Sequence, residues 1–371
     1  MINDDIRKLA HNLVNYSCAL KKGEKILIDA IGVPNDLPVA IVEEAYKVGA
    51  YPFVNVIDNT IQRAILYGLN EEQTKLWAEI DTVRMKNMDA YIGIRGGDNS
   101  FELSDVPGDK MTFYQNYYSL PVHHNIRVKQ TKWVVLRYPT PSMSQLASMS
   151  TEKFSKYYFN VCNLDYSKMD RAMNALKNLM EKTDKVRITA PGTDLTFSIK
   201  GIGAVKCSGK LNIPDGEVYT APVKKSVNGT ISYNTPSIEQ GLKFENVKLT
   251  FKDGKIINAT SNYNEKINEI FDMDEGARYV GEFAIGVNPY INQPMGDILF
   301  DEKISGSIHF TPGCCYDDAF NGNISSLHWD LVLIQREEFG GGEIFFDDIL
   351  IRKNGFFVID ELLPLNPENL K

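Results

Sequence analysis

The sequence predicts an α+β fold in two parts: an N-terminal three-layer α/β domain, then a mainly antiparallel β domain. Three observations carry this expectation. Helical and strand patterns alternate over the first half, after which strand pairs joined by two-residue turns take over. At 371 residues the chain exceeds one ordinary core, so two domains, 1–184 and 185–371, are expected. Its 43% hydrophobic and 24% charged residues match a globular composition.

The elements follow in order. From Asp4 to Leu20, apolar residues at Ile6, Leu9, Ala10, Leu13 and Val14 draw one helical face. Ile26–Asp29 is a short strand, and Pro34–Ala50 a helix with Asn35 and Asp36 as capping residues. Pro52–Ile57 is the next strand and Glu71–Met85 another helix. Ala90–Ile94 and Trp133–Leu136 complete a βαβ series, and a helix from Lys168 to Lys182 leads to the boundary. Beyond it, 249–252 and 256–258 flank Asp253-Gly254, and 345–352 and 356–359 flank Asn354-Gly355. Both turns are of the type that joins antiparallel strands.

Composition also excludes functions. A formal charge of −8 argues against general binding to nucleic acid or anionic membranes. No stretch approaches the eighteen or more apolar residues of a membrane span. The N-terminus Met1-Ile2-Asn3-Asp4-Asp5 lacks the basic and apolar regions of a signal peptide. Five scattered cysteines suit a reducing cytoplasm better than a disulfide framework. Gly201-Ile202-Gly203 is not completed to a dinucleotide fingerprint, and neither a phosphate loop nor a GxSxG elbow occurs. Arg95-Gly96-Gly97-Asp98 reads as a turn after a strand, and His123-His124 as a solvated loop after Pro121. The adjacent Cys314-Cys315 reads as partly buried free thiols, since neighbours cannot easily chelate one ion.

The chemistry concentrates in the last third, in Glu217, Glu282, His309, Tyr316, His328 and Asp330. Residues 325–334 read as a strand apolar enough to be covered on both faces. Residues i and i+2 of a strand share a side, so His328 and Asp330 would project into one site. A buried carboxylate beside an imidazole needs charge compensation, and a divalent cation is the simplest source. A lone histidine in such a context is more often a core residue bonded to backbone. Two of them, with an Asp at i+2 and isolated glutamates nearby, point toward a metal.

These segments resemble a known family. Gly281-Glu282-Phe283-Ala284-Ile285-Gly286-Val287-Asn288-Pro289, Gly306-Ser307-Ile308-His309 with Tyr316 seven residues on, and Asn323–Asp330 are similar to the M29 metallopeptidases, the thermophilic-type aminopeptidases. Pro214–Pro222, Gly192–Leu195, Trp133, Pro139-Thr140 and Met149-Ser150 extend the resemblance over nearly the whole chain. It implies a cytoplasmic, dimeric aminopeptidase that releases N-terminal residues from peptides with a free amine, by attack of a metal-bound hydroxide. It implies two divalent ions per chain, of zinc, cobalt or manganese, which mixed carboxylate and imidazole ligands suit. Glu282 would be shared by both ions, with Glu217, His309, Tyr316, His328 and Asp330 completing the two shells. Tyr316 would be a weak ligand or a donor to the tetrahedral intermediate, and Glu217 a carboxylate able to share the proton. One departure touches the loop carrying Tyr316: Phe310-Thr311-Pro312-Gly313-Cys314-Cys315 stands where the family has a small, aliphatic run. Two rival readings are a mononuclear non-heme iron enzyme, which also uses two histidines and a carboxylate, and a non-catalytic binding or assembly protein on the same fold.

Overall fold

The computed structural model describes residues 2–371 and mixes helices with parallel and antiparallel sheet. The chain divides into two compact units: the N-terminus to Asn163 with Gly209–Pro214, and Leu164–Ser208 with Asp215–Lys371. The division falls twenty residues before the composition change at 184. Helix Tyr166–Lys182, read from the sequence as the end of the first part, makes its contacts with the Glu217–Thr220 strand and the C-terminal Asp360–Leu365 segment.

The first unit is built on a five-stranded parallel sheet. Strands β1 (Lys25–Ile31), β2 (Tyr51–Ile57), β3 (Ala90–Arg95) and β4 (Lys132–Arg137) lie in the order β2-β1-β3-β4, and Asn212–Ile213 adds to the outer edge of β4. Ile26, Ile28 and Ala30 are as fully buried as Leu27 on the opposite side, so both faces of the sheet are covered. Leu27 and Tyr91 pack with Ala78, Met85 and Val122. These belong to helix α1 (Glu71–Lys86) and to the π-helical segment Tyr114–Arg127. The α1 N-terminus is capped by the Asn70 side chain, with Glu71 and Glu72 in the first turn and Arg84 and Lys86 in the last, as the helix dipole favours.

Three local expectations differ from the outcome. A helix over Asn59–Gly68, capped by Asp58, forms where no element was expected, and it buries only Leu66. His123-His124 lie within the π-helical segment, with His123 between the rings of Tyr91 and Tyr118 instead of in a solvated loop. Of the capping residues expected at 35–36, Asn35 makes no side-chain cap; Asp36 accepts from Leu37 N and from the Tyr138 hydroxyl.

The second unit holds two antiparallel sheets. One has eight strands, and both turns read from the sequence are in it, with Asp253-Gly254 and Asn354-Gly355 at positive φ. The run 345–352 is not one strand: Asp347 and Asp348, also at positive φ, turn it between Glu343–Phe346 and Ile349–Lys353. The other sheet has five strands, β5 (Val205–Cys207), β6 (Glu217–Thr220), β7 (Val280–Gly286), β8 (Ser307–Pro312) and β9 (Val332–Ile334), in the order β9-β8-β7-β6-β5. Every residue of β6, β7 and β8 is buried. Among the described residues, no helix is long and apolar enough to cross a membrane.

The first unit carries a pH dependence of its own. Burial, followed by Arg127, Arg95 and His124, pushes His123 down to about 4. Its folded pKa is below the unfolded value of about 6.5, so its contribution is complete above about pH 6.5 and is lost as pH falls through about 4. His123→Gln is expected to remove on the order of 1–3 kcal/mol of the acid destabilisation in that window. Urea unfolding of both proteins at several pH values checks this; parallel pH profiles would refute it.

Candidate metal centre

Strand register brings the predicted side chains to one face of the five-stranded sheet. Glu217 on β6 pairs with Gly286 on β7; His309 on β8 pairs with Ala284, and Thr311 with Glu282. Paired residues share a side, and so do i and i+2 along a strand, so Glu217, Glu282, His309 and Thr311 all emerge together. Gly286 and Ala284 on β7 stand among them on this face, with Tyr219 opposite Ala284.

His328 and Asp330 reach this face differently from the expectation. The regular strand β9 begins only at Val332, and residues 325–331 run irregularly beside 310–314. Phe310 N and Cys314 N bond to Leu331 O and Leu327 O, and Trp329 N to Pro312 O. Alternation survives: Leu327, Trp329 and Leu331 are buried, while His328 and Asp330 face the site and are only partly covered. Coverage of both faces is therefore corrected, and a shared side for the two polar residues is kept. The close approach needs glycine at 313, where φ is +111° and a Cβ would lie 2.1 Å from Leu327 O.

The polar atoms converge on Glu282. Its Oε1 lies 3.0 Å from His309 Nε2 and its Oε2 lies 3.4 Å from His328 Nε2. Asp330 Oδ1 is 3.3 Å from the same His328 nitrogen and accepts a 2.7 Å bond from Thr311. Glu217 Oε2 sits 3.6 Å from His309 Nδ1 and, though buried, has no hydrogen-bonding protein partner. Two groups of metal-capable atoms result, Glu217–Glu282–His309 and Glu282–His328–Asp330, and they share Glu282.

Both imidazoles are oriented from behind. His309 Nδ1 is 3.2 Å from the Glu302 carbonyl and His328 Nδ1 is 2.8 Å from the Cys314 carbonyl. An N–H donated to a carbonyl fixes the tautomer whose Nε2 carries a lone pair, and both lone pairs then face carboxylates. Acceptor facing acceptor is tolerable only with positive charge between them. When protons supply it, both histidines are held as cations. Burial opposes this, but Asp330 and then Glu282 push His328 up to about 11. His309 is raised too, against burial, by Glu217 and Glu282. Burial likewise works against ionised Glu282, yet hydrogen bonds from His309 and His328 hold its carboxyl low. Glu217 is raised, by burial first and by Glu282 among its neighbours. Donor set, tautomers and the bare Glu217 oxygen all fit divalent metal ions.

Tyr316 follows the loop whose sequence departs from the family run. Its ring lies 4.8 Å from that of His328 and 5.6 Å from that of Tyr219. It therefore borders the site, and its hydroxyl is raised above the ordinary phenol value, by burial first and then by Glu282 and Asp330. Cys314 and Cys315 are free thiols; Cys315 Sγ donates to Asn323 O. Sequence reasoning missed Thr311 and Lys303. The first was findable, standing two residues after His309 on the same strand. Lys303 lies in the charged run Asp301-Glu302-Lys303, which reads as solvated surface, yet it is fully buried.

Comparison with known proteins agrees with this geometry. A buried, carboxylate- and histidine-lined site on this mixed fold defines a candidate metal-binding protein. The chain belongs to the thermophilic metalloprotease (M29) family, whose profile matches residues 2–343, and it is a peptidase of that family. It is 26% identical to aminopeptidase PepS of Streptococcus thermophilus, over 88% of each chain. The structure of AmpT from Thermus thermophilus superposes with a TM-score of 0.77 at 20% identity, covering 96% of this chain and 99% of that one. A 2,5-dihydroxypyridine dioxygenase from Pseudomonas putida shares the fold at a TM-score of 0.62 and 12% identity, covering 96% and 98%.

Thr311→Val removes the hydroxyl donor to Asp330 while keeping the shape. Urea unfolding of metal-free protein is expected to show a loss of about 1–3 kcal/mol, the range for a hydrogen bond to a charged group in a partly covered site. Unchanged stability would mean that Asp330 finds another donor.

Proposed function

We propose that this protein is a dinuclear metal-dependent aminopeptidase, releasing N-terminal residues from peptides that carry a free amine. The observation that carries the reading is Glu282, whose two carboxylate oxygens each face a different histidine. Glu217, Glu282 and His309 would hold one ion, and Glu282, His328 and Asp330 the other. Two divalent ions held there, of zinc, cobalt or manganese, would lower the pKa of a shared water and polarise a peptide carbonyl. The names of the relatives, aminopeptidase PepS and AmpT among them, support removal of terminal residues.

The chain's own groups supply the rest. Thr311 holds Asp330 in place, and the Glu302 and Cys314 carbonyls fix the imidazoles. Glu217, as a ligand carboxylate, would share a proton during the reaction. Tyr316, a neutral phenol with one flank open to solvent, would donate to the developing oxyanion.

Likeness to the dioxygenase fold keeps one alternative in view, a single iron at Glu282–His328–Asp330. Elemental analysis with a peptide panel separates the two. The expectation is about two ions per chain, stepwise shortening of free peptides and survival of their N-acetylated forms. Saturation by one iron with oxygen-dependent turnover would replace the reading, and internal cleavage of acetylated peptides would remove its exopeptidase part.

The roles divide further by mutation. Glu282→Gln is expected to lose activity and metal together, because both groups depend on it. Tyr316→Phe is expected to keep its metal while kcat falls roughly 10²–10³-fold, the cost of one oxyanion donor. Loss of metal in Tyr316→Phe would make the phenol a ligand, and unchanged kcat would place it outside the reaction.

A further inference from the structure

Behind Glu217 lies a third group of metal-capable atoms, Cys207, Asp215 and Glu217, with ligand atoms within 4.8 Å of one another. It shares Glu217 with the Glu217–Glu282–His309 group, but it already has a cation. Lys303, with 0% of its side chain exposed, places Nζ 3.4 Å from Glu217 Oε1 and in hydrogen-bond contact with Glu302 Oε1. Asp215 and Cys207 lie within electrostatic reach of the same ammonium. A fully buried lysine is rare and costly unless its charge is used.

The position of Lys303 in the chain is as informative as its charge. The preceding residue, Glu302, gives its carbonyl to His309 Nδ1, so two consecutive residues grip two members of one ligand group from behind. The segment is itself braced: Lys303 O accepts from Asn288 N, and Asp301 accepts from Met295 N and Gly296 N. Lys303 takes Glu217 Oε1, and the oxygen left over, Oε2, is the buried atom without a protein donor that faces His309.

We propose that Lys303 is a positioning residue of this site: its ammonium fixes Glu217 through Oε1, presents Oε2 toward the His309–Glu282 group, and supplies the positive charge that Cys207, Asp215 and Glu217 would otherwise draw from a third ion. The proposal rests on the two-ion reading above. It makes Glu217 a one-oxygen ligand and limits the number of ions the carboxylates accept.

Cobalt titration of the full-length chain tests it, read by equilibrium dialysis and by electronic absorption instead of turnover. The wild type is expected to take up two Co²⁺ with no thiolate-to-cobalt charge-transfer band, since Lys303 stands in for an ion beside Cys207. Lys303→Met, close in volume but uncharged, is expected to weaken one of the two ions by about 10–100-fold, as loss of a group that orients a ligand does, and to leave the other unchanged. A general loosening of the fold would weaken both. Two ions bound by Lys303→Met with wild-type affinity, or both weakened alike, overturn the proposal and leave the two-ion reading standing. A wild type that binds only one ion overturns both. The wild-type spectrum decides the matter even where Lys303→Met fails to fold: a thiolate band there overturns the proposal, and its absence alongside two bound ions supports it.

Discussion

Three carboxylates, Glu217 and Glu282 on the five-stranded sheet and the partly covered Asp330 beside it, converge with two imidazoles and one lysine among them. Gathering like charges in a region of low dielectric is unfavourable by several kcal/mol per group unless opposite charge is brought to the same place. The surrounding structure answers that constraint. Carbonyls of Glu302 and Cys314 turn the imidazoles so that Nε2 faces the carboxylates, Thr311 donates to Asp330, and Lys303 joins Glu217 to Glu302. Protons on the histidines or divalent ions can supply the remaining positive charge, and only ions leave both imidazoles in their ordinary neutral form.

The sheet makes this convergence possible through small residues at the right registers. Gly286 and Ala284 stand opposite Glu217 and His309, and at Gly286 a Cβ would meet Ile304 O at 2.5 Å, so the glycine lets the 303–304 backbone pack against the sheet. Gly281 lies at a register shift in β7, where a Cβ would meet Cys314 O at 2.2 Å, and it lets the loop that carries the His328 acceptor pass close behind. The scaffold is thus shaped around backbone carbonyls as much as around ligand side chains.

A peptidase family profile and a dioxygenase likeness on one fold show that the architecture does not choose the chemistry by itself. In this chain three acidic groups, Glu217, Glu282 and Asp330, converge. A single ion at Glu282–His328–Asp330 would leave Glu217 to its pairing with Lys303. A centre of two ions with a shared carboxylate uses every one of them.

The sequence by itself determined the fold class, the turn chemistry at Asp253-Gly254 and Asn354-Gly355, and the common side of His328 and Asp330. These depend on local periodicity and on backbone preferences that act within a few residues. Residue types restricted the chemistry to carboxylate and imidazole ligands, and segment resemblance named the six candidates. Tertiary structure decided what local patterns cannot encode. The Tyr166–Lys182 helix joined the second unit because its contacts are with strands distant in the sequence. The HxD segment lost strand regularity because it must pass a chain bend at Gly313. Lys303 looked like surface because charged runs usually are surface, and only the packing of its segment against Asn288 and Gly286 set it beside Glu217. Long-range register sets the electrostatic environment of each group, and that register is a property of the folded sheet.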